Sequence, residues 1–136
     1  MTNSIIGCIV LGYDQIKSNE PALFNNKDGN IEIIFKDNDD YKSKLIKKDI
    51  IKAVNFNSVM KIESTANEKK NEEQYQKICE FIIQIQNYGF NIEKPNKNTG
   101  TFFETIVTFQ VGEEEKKLIL KSYENSEYFV EGFKKN

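Results

Sequence analysis

One long amphipathic stretch in the middle of the chain limits the folds open to it. Over residues 67–88, apolar side chains recur at three- and four-residue spacing, which is typical of a helix with one buried face. The stripe consists of Tyr75, Ile78, Cys79, Phe81, Ile82, Ile85 and Tyr88. Thr65 and Glu68 have the spacing of a capping box, and Gly89 stands where a left-handed residue ends a helix. The pattern predicts a helix over 67–88 that covers an apolar surface.

The segments before this helix have strand character. Residues 4–11 form a nearly continuous apolar run of strand length, which favours a central strand buried on both faces. Residues 22–24 and 31–36 flank an Asp28-Gly29 pair, whose tolerance of positive φ angles predicts a tight hairpin turn. Residues 37–40 are expected to form the next turn.

The stretch 41–56 fits two structures. As strands, 42–47 would turn near Lys48 and return through 51–56 as a hairpin; as a helix, Leu45, Ile46, Ile50, Ala53 and Val54 would share one face. We favour strands. Residues 44–54 are similar to the strand, acidic turn and strand of small pleckstrin-homology-like binding domains. Those domains place their long helix after the last strand rather than mid-chain, so no family is assigned.

After the helix, the sequence predicts a polar connector and then a C-terminal meander of three strands. The three segments are 101–111, 116–121 and 127–133, each with alternating apolar residues and separated by polar turns. A chain of 136 residues normally forms one domain. We therefore expect a single α+β domain over residues 1–136, with a mostly antiparallel, twisted sheet and the helix 67–88 packed on one face.

The composition argues against most catalytic and metal-binding sites. The chain has no His, Arg or Trp, so all 19 of its basic residues are Lys. It thus lacks the side chain that titrates near neutral pH and the fork-shaped guanidinium that clamps phosphate. The acidic cluster 37–40 does not fit a calcium loop, because Lys42 and Lys48 stand where Gly and Glu are required. We predict no catalytic residue, no cofactor and no metal, and we expect Cys8 and Cys79 to be unpaired thiols.

The charge and hydropathy of the chain argue against nucleic acids and membranes as partners. A net charge of -2 and a lysine run interrupted by aspartates, over 42–52, favour a solvated face over a nucleic-acid surface. No apolar segment approaches the roughly 20 residues of a membrane span. We therefore expect no nucleic acid and no membrane as partners, and a cytoplasmic protein.

Aromatic residues crowd the predicted C-terminal hairpin, and alternation would expose some of them. The candidates for a partner-binding surface are Tyr123, Tyr128, Phe129 and Phe133. Our leading hypothesis is a non-enzymatic protein-binding module, such as a small inhibitor, immunity or accessory protein, with a basic partner favoured by the acidic chain. A homo-oligomer is compatible with the sequence. The alternative is a small-ligand carrier with a pocket between sheet and helix, and a hydrolase that uses only carboxylates ranks third.

Overall fold

Seven antiparallel strands in one sheet form the body of the structure, a computed structural model that describes residues 3–60, 65–96 and 101–134. The strands are β1 Ser4–Leu11, β2 Pro21–Lys27, β3 Asn30–Asp37, β4 Asp40–Ile46, β5 Ile51–Met60, β6 Thr101–Val111 and β7 Glu114–Ser122. The helices are α1 Thr65–Ile85 and α2 Glu127–Glu131. In space the strands follow the order β4-β3-β2-β1-β7-β6-β5. The predicted α+β class, with an antiparallel sheet and one long helix, is confirmed.

The predicted central strand is correct, because β1 lies in the middle of the sheet between β2 and β7. Its residues 5–9 are all buried, as the continuous apolar run required. The β2–β3 hairpin turns at Asp28 and Gly29 with φ angles of 57° and 89°, the two positive values that the Asp-Gly pair predicted. The next turn contains Asn38 at φ 57° and leads into β4.

The stretch 41–56 forms strands, but they do not pair as a hairpin. β4 and β5 lie at opposite edges of the sheet, joined by a short 3-10 turn at Lys48–Ile50. In a flat sheet, six strand spacings would separate these edges by about 29 Å, whereas the chain from Ile46 to Ile51 spans at most about 18 Å. The sheet must therefore curl strongly, which gives it a concave inner face and a convex outer face.

Apolar side chains are buried on both faces of the curled sheet. The inner cluster draws on all seven strands, the 12–20 loop and α2; its members are Ile5, Ile9, Ile16, Ala22, Phe24, Ile31, Ile33, Phe35, Ile46, Val54, Val107, Phe109, Leu118, Leu120, Phe129 and Val130. The outer cluster lies under α1 and comprises Ile6, Cys8, Leu23, Ile34, Ile78, Phe81, Ile82, Ile85, Phe102 and Tyr123. Alternation along each strand divides the side chains between the two clusters.

The structure of the long helix confirms the predicted three- and four-residue spacing of its buried side chains and its predicted end at Gly89. α1 continues into a 3-10 turn over Gln86–Tyr88, and Gly89 follows with φ 91°. The backbone N–H of Phe90 then donates to the carbonyl of Ile85 at 3.3 Å, as a glycine-ended helix requires. Tyr88 was wrongly included in the buried stripe, since it is exposed beyond the last α-helical turn. The proposed capping box depends on the side chain of Thr65, which lies outside the described side chains.

The third strand of the predicted C-terminal meander is wrong, because residues 127–131 form the short helix α2. Phe129 and Val130 are adjacent yet both buried in the inner cluster, which alternation cannot achieve. The rings of Phe129 and Phe133 lie 5.1 Å apart at i,i+4 spacing, a helical contact. The three-stranded C-terminal meander of the sheet is instead β5-β6-β7, with α1 inserted between β5 and β6.

Candidate functional site

The structure separates the four aromatic residues proposed for partner binding. Tyr123 is only 5 % exposed and belongs to the outer cluster. Its hydroxyl donates to the carbonyl of Asn71 on α1 at 3.0 Å, and its ring packs edge-on against Tyr75 and Phe102. Tyr123 therefore anchors the helix to the sheet, and burial raises the pKa of its hydroxyl well above its usual range.

Two of the other three aromatic residues fill the inside of the curled sheet. Phe129 is 2 % exposed in the inner cluster, and its ring lies 6.5 Å from that of Phe24 on β2. Phe133 is half-buried and packs against the same cluster. Alternation along a strand had suggested an outward direction for some of this group, but the helical turn of α2 points Phe129 inward.

Tyr128 is the member of the group that reaches the surface, with 37 % of its area exposed. Its hydroxyl donates to the carbonyl of Ser4, at the start of β1, over 2.7 Å. This bond fixes the ring at the border between α2 and the sheet, so a partner that packs against it would freeze few additional rotamers.

Tyr128 forms one wall of a cleft of about 350 Å³. The remaining lining residues are Ser4, Ile6, Leu23, Asn91, Ile92, Glu93 and Glu124. Apolar side chains from β1 and β2 therefore line part of the cleft, and two carboxylates contribute to its polar lining. The cleft is formed where the end of the sheet, the segment after α1 and the entry to α2 converge.

The wall that carries Glu93 is positioned by the end of α1. Gly89 turns the chain at φ 91°, a value that costs a residue with a Cβ about 1 kcal/mol. Farther on, the hydroxyl of Tyr75 donates to the carbonyl of Pro95 at 2.9 Å, which holds the segment against the helix. The turn at Gly89 was predicted from the sequence, whereas the bond between Tyr75 and Pro95 could not be anticipated from the polar composition of this connector.

Glu93 and Glu124 are exposed, and no lysine of the described residues lies within ion-pair distance of either. Among the described residues, the cleft therefore presents two carboxylates without an ion pair beside an aromatic ring and an apolar lining. Such a lining attracts a cationic side chain through its charge and through the face of the ring. A carboxyl that acts as a catalytic acid is normally desolvated, so the exposure of both groups favours recognition of charge over acid catalysis.

The lysine run does not assemble into one basic surface. Lys42 pairs with Asp37 at 2.9 Å, and Lys44 pairs with Asp14 at 3.1 Å while its Nζ lies 5.4 Å from the centre of the Tyr13 ring. A second cleft, of about 370 Å³, is lined by other members of the run. Its lining residues are Gly29, Lys48, Asp49, Ile51, Lys52, Ala53, Val54 and Phe133.

The cysteines form no disulfide, and Cys8 is placed as a structural thiol. It is buried beneath α1, with its Sγ 3.9 Å from the carbonyl of Gln74. Burial raises the pKa of Cys8 to about 11, so the thiol is protonated near neutral pH and is a poor nucleophile. Lys121 lies beside Cys8 in the strand pairing and donates to Oε1 of Gln74 at 2.7 Å; burial lowers its pKa. Cys79 is partly exposed.

In the part of the chain that the structure describes, no three Cys, Asp or Glu side chains come together as a metal site. None of the helices described is long and apolar enough to cross a membrane. No protein-family model matches the chain, and neither a curated protein nor a solved structure matches it.

Proposed function

We propose that the chain is a non-enzymatic protein-binding module whose cleft at Tyr128 accepts a basic segment of a partner protein. The observation that supports this proposal is the exposed Tyr128 ring, fixed by its bond to Ser4, in a cleft whose two carboxylates, Glu93 and Glu124, have no described ion-pair partner. Aromatic side chains are enriched at the centre of protein interfaces, and polar groups are typical of the rim around them.

The charges define the chemistry of the partner. A lysine or arginine side chain that enters the cleft would place its cation near both carboxylates and its methylene groups against the partly exposed Ile92. Association would be fast at low ionic strength and would slow as salt screens the carboxylates. An acidic or uncharged segment would not be attracted by the carboxylates of Glu93 and Glu124.

The test compares a fluorescent lysine-rich peptide with a glutamate-rich peptide of the same length, by anisotropy at low and moderate salt. We expect binding of the lysine-rich peptide alone, weakened about tenfold or more in the E93Q/E124Q variant because the attracting charge is removed. The matched control is E113Q/E115Q, which removes two exposed carboxylates, one from the β6–β7 turn and one from the start of β7. Equal loss in both double variants would show general charge attraction and would contradict the cleft as the site.

The aromatic wall is tested with the same probe. We expect Tyr128→Ala to weaken binding, and Tyr88→Ala, which removes another exposed tyrosine, to leave it unchanged. Tyr128→Phe retains the ring and loses only the bond to Ser4, so it should bind more tightly than Tyr128→Ala. A partner contact that does not use the ring would make all three variants equivalent.

A small-ligand carrier is the alternative, supported by the size of the cleft, since about 350 Å³ lies within the usual range for small-molecule sites. The interface between sheet and α1 is occupied by the outer cluster, so such a ligand would use the same cleft. Native mass spectrometry distinguishes the two functions: a retained ligand mass would favour the carrier, and the bare chain mass would favour the binding module.

A further inference from the structure

The two edge strands of the sheet differ in their protection against pairing with another strand. β4 places Lys42 and Lys44 opposite Phe35 and Ile33 of β3, so both lysines lie on the inner face. Inward-pointing charges are a recognised means of preventing strand addition, because an added strand would bury them. β4 is therefore a protected edge.

β5 has no comparable protection. Its residues 53–60 contain no charged side chain and no proline, and the strand is ten residues long. Asn55, Asn57 and Val59 are exposed on the outer face. Within the described residues, no backbone group outside the sheet bonds to residues 53–59. α2 packs against β5, and Phe133 shares a cleft with Ala53 and Val54 near the start of the strand. The stretch of β5 beyond Val54, from Asn55 onward, thus offers N–H and C=O groups that a further strand can pair with.

We propose that a second copy of this chain occupies the β5 edge, through antiparallel pairing of β5 with β5 across a two-fold axis. Such an edge selects an uncharged segment of high strand propensity, and β5 itself provides one, since Val54, Phe56 and Val59 all favour strands. A two-fold axis perpendicular to the sheet, near Phe56, places uncharged residues opposite uncharged residues.

The charges nearby also permit this pairing. Lys52, just before the uncharged stretch, falls opposite residue 60 when the axis passes through Phe56, so the two Lys52 side chains stay apart. The pairing joins two seven-stranded sheets into one continuous sheet and satisfies backbone groups that otherwise face water. One strand pair with few side-chain contacts is a small interface, which predicts an association in the micromolar range.

The proposal is tested by sedimentation equilibrium of the full chain from about 5 to about 500 µM. The mass should rise from 15.8 kDa toward twice that value. The N55K/N57K variant, which places like charges across the pairing, should lose the association by tenfold or more. The matched control, Ser43→Lys on the exposed outer face of β4, should associate as the unmodified chain does.

Hydrogen exchange of the unmodified chain provides a second measurement that needs no variant. The amides of residues 53–60 should become more protected as concentration rises, while those of β4 stay unchanged. A single mass of 15.8 kDa at every concentration would overturn the proposal, as would a dimer that persists in N55K/N57K. Protection of β5 only on addition of a different protein would assign the edge to that protein instead.

Discussion

Gly7 is the position where the smallest substitution should have the largest effect on stability. It lies in the central strand β1, where a Cβ would overlap the carbonyl oxygen of Lys121 and lie 2.8 Å from the carbonyl carbon. The Cα of Ser122 would be 3.2 Å away. All three atoms belong to the backbone of β7, so rotation of a side chain cannot relieve the overlap. A glycine inside a strand often marks such a close approach of two backbones.

Because Gly7→Ala can be accommodated only by moving β1 away from β7, we expect a loss of roughly 3 kcal/mol or more in the free energy of unfolding. The matched control is Gly112→Ala, in the β6–β7 turn, where a Cβ would have no neighbour within 4 Å. Gly112→Ala places an alanine at a φ of 61°, which should lower the free energy of unfolding by about 1 kcal/mol. Both variants change the unfolded chain in the same way, so their difference isolates the steric overlap.

Urea denaturation followed by circular dichroism gives the free energy of unfolding of both variants, and thermal melts followed by the same signal give their Tm. For a chain of this length, a loss of about 3 kcal/mol corresponds to a fall of roughly 10 °C in Tm. We therefore expect Gly7→Ala to melt well below Gly112→Ala. If Gly7→Ala loses no more stability than Gly112→Ala, the backbones of β1 and β7 do not approach closely enough at Gly7 to exclude a Cβ.

Three further predictions concern the two clusters. Ile82→Ala should cost about 2–5 kcal/mol in unfolding free energy, whereas Ile83→Ala should cost under about 1 kcal/mol, since the exposed fractions are 5 % and 62 %. Phe129→Ala should cost about 3–5 kcal/mol and Tyr128→Ala far less, which thermal melts would show. Burial raises the pKa of Cys8 from 9.0 to about 11, so its thiol loses its proton at a lower pH in the unfolded chain than in the folded one. The free energy of unfolding should therefore fall between about pH 9 and about pH 11. A free energy of unfolding that stays constant over this range would contradict the burial of Cys8.

The elements with a local signal could be predicted from the sequence. The period of α1 and its end at Gly89 are determined by contacts within a few residues, and so is the positive-φ turn at Asp28 and Gly29. The burial of β1 on both faces follows from a continuous apolar run. These features depend little on distant parts of the chain.

The features that depend on long-range pairing were not predictable in the same way. Strand character in 41–56 was correct, but a short connection favours a hairpin, and nothing local indicates that β4 and β5 instead lie at opposite edges of a curled sheet. The spacing of Phe129 and Phe133 fits both alternation and one helical turn. Residues 127–131 form a helix because a helical turn buries both Phe129 and Val130 inside the curled sheet.

The cleft could be predicted only in part. Tyr128 was among the candidates because aromatic residues are abundant near the C-terminus, but the same criterion selected Tyr123 and Phe129, which are buried. No sequence pattern indicated that Glu93 and Glu124 line one cleft, since each lies in a polar connector and they are 31 positions apart. Only the folded end of α1 and the entry to α2 bring them to one cleft.

The two proposed contacts differ in their physical origin, and salt therefore separates them. Binding of a basic segment in the cleft depends on exposed carboxylates, whose attraction is screened within about 8 Å at physiological ionic strength. Pairing of β5 with a second copy involves uncharged residues and backbone hydrogen bonds, so salt should weaken it little and should reinforce burial of its apolar side chains if the salt is a sulfate. An association that disappears between low and moderate salt belongs to the cleft, and one that persists belongs to the edge of the sheet.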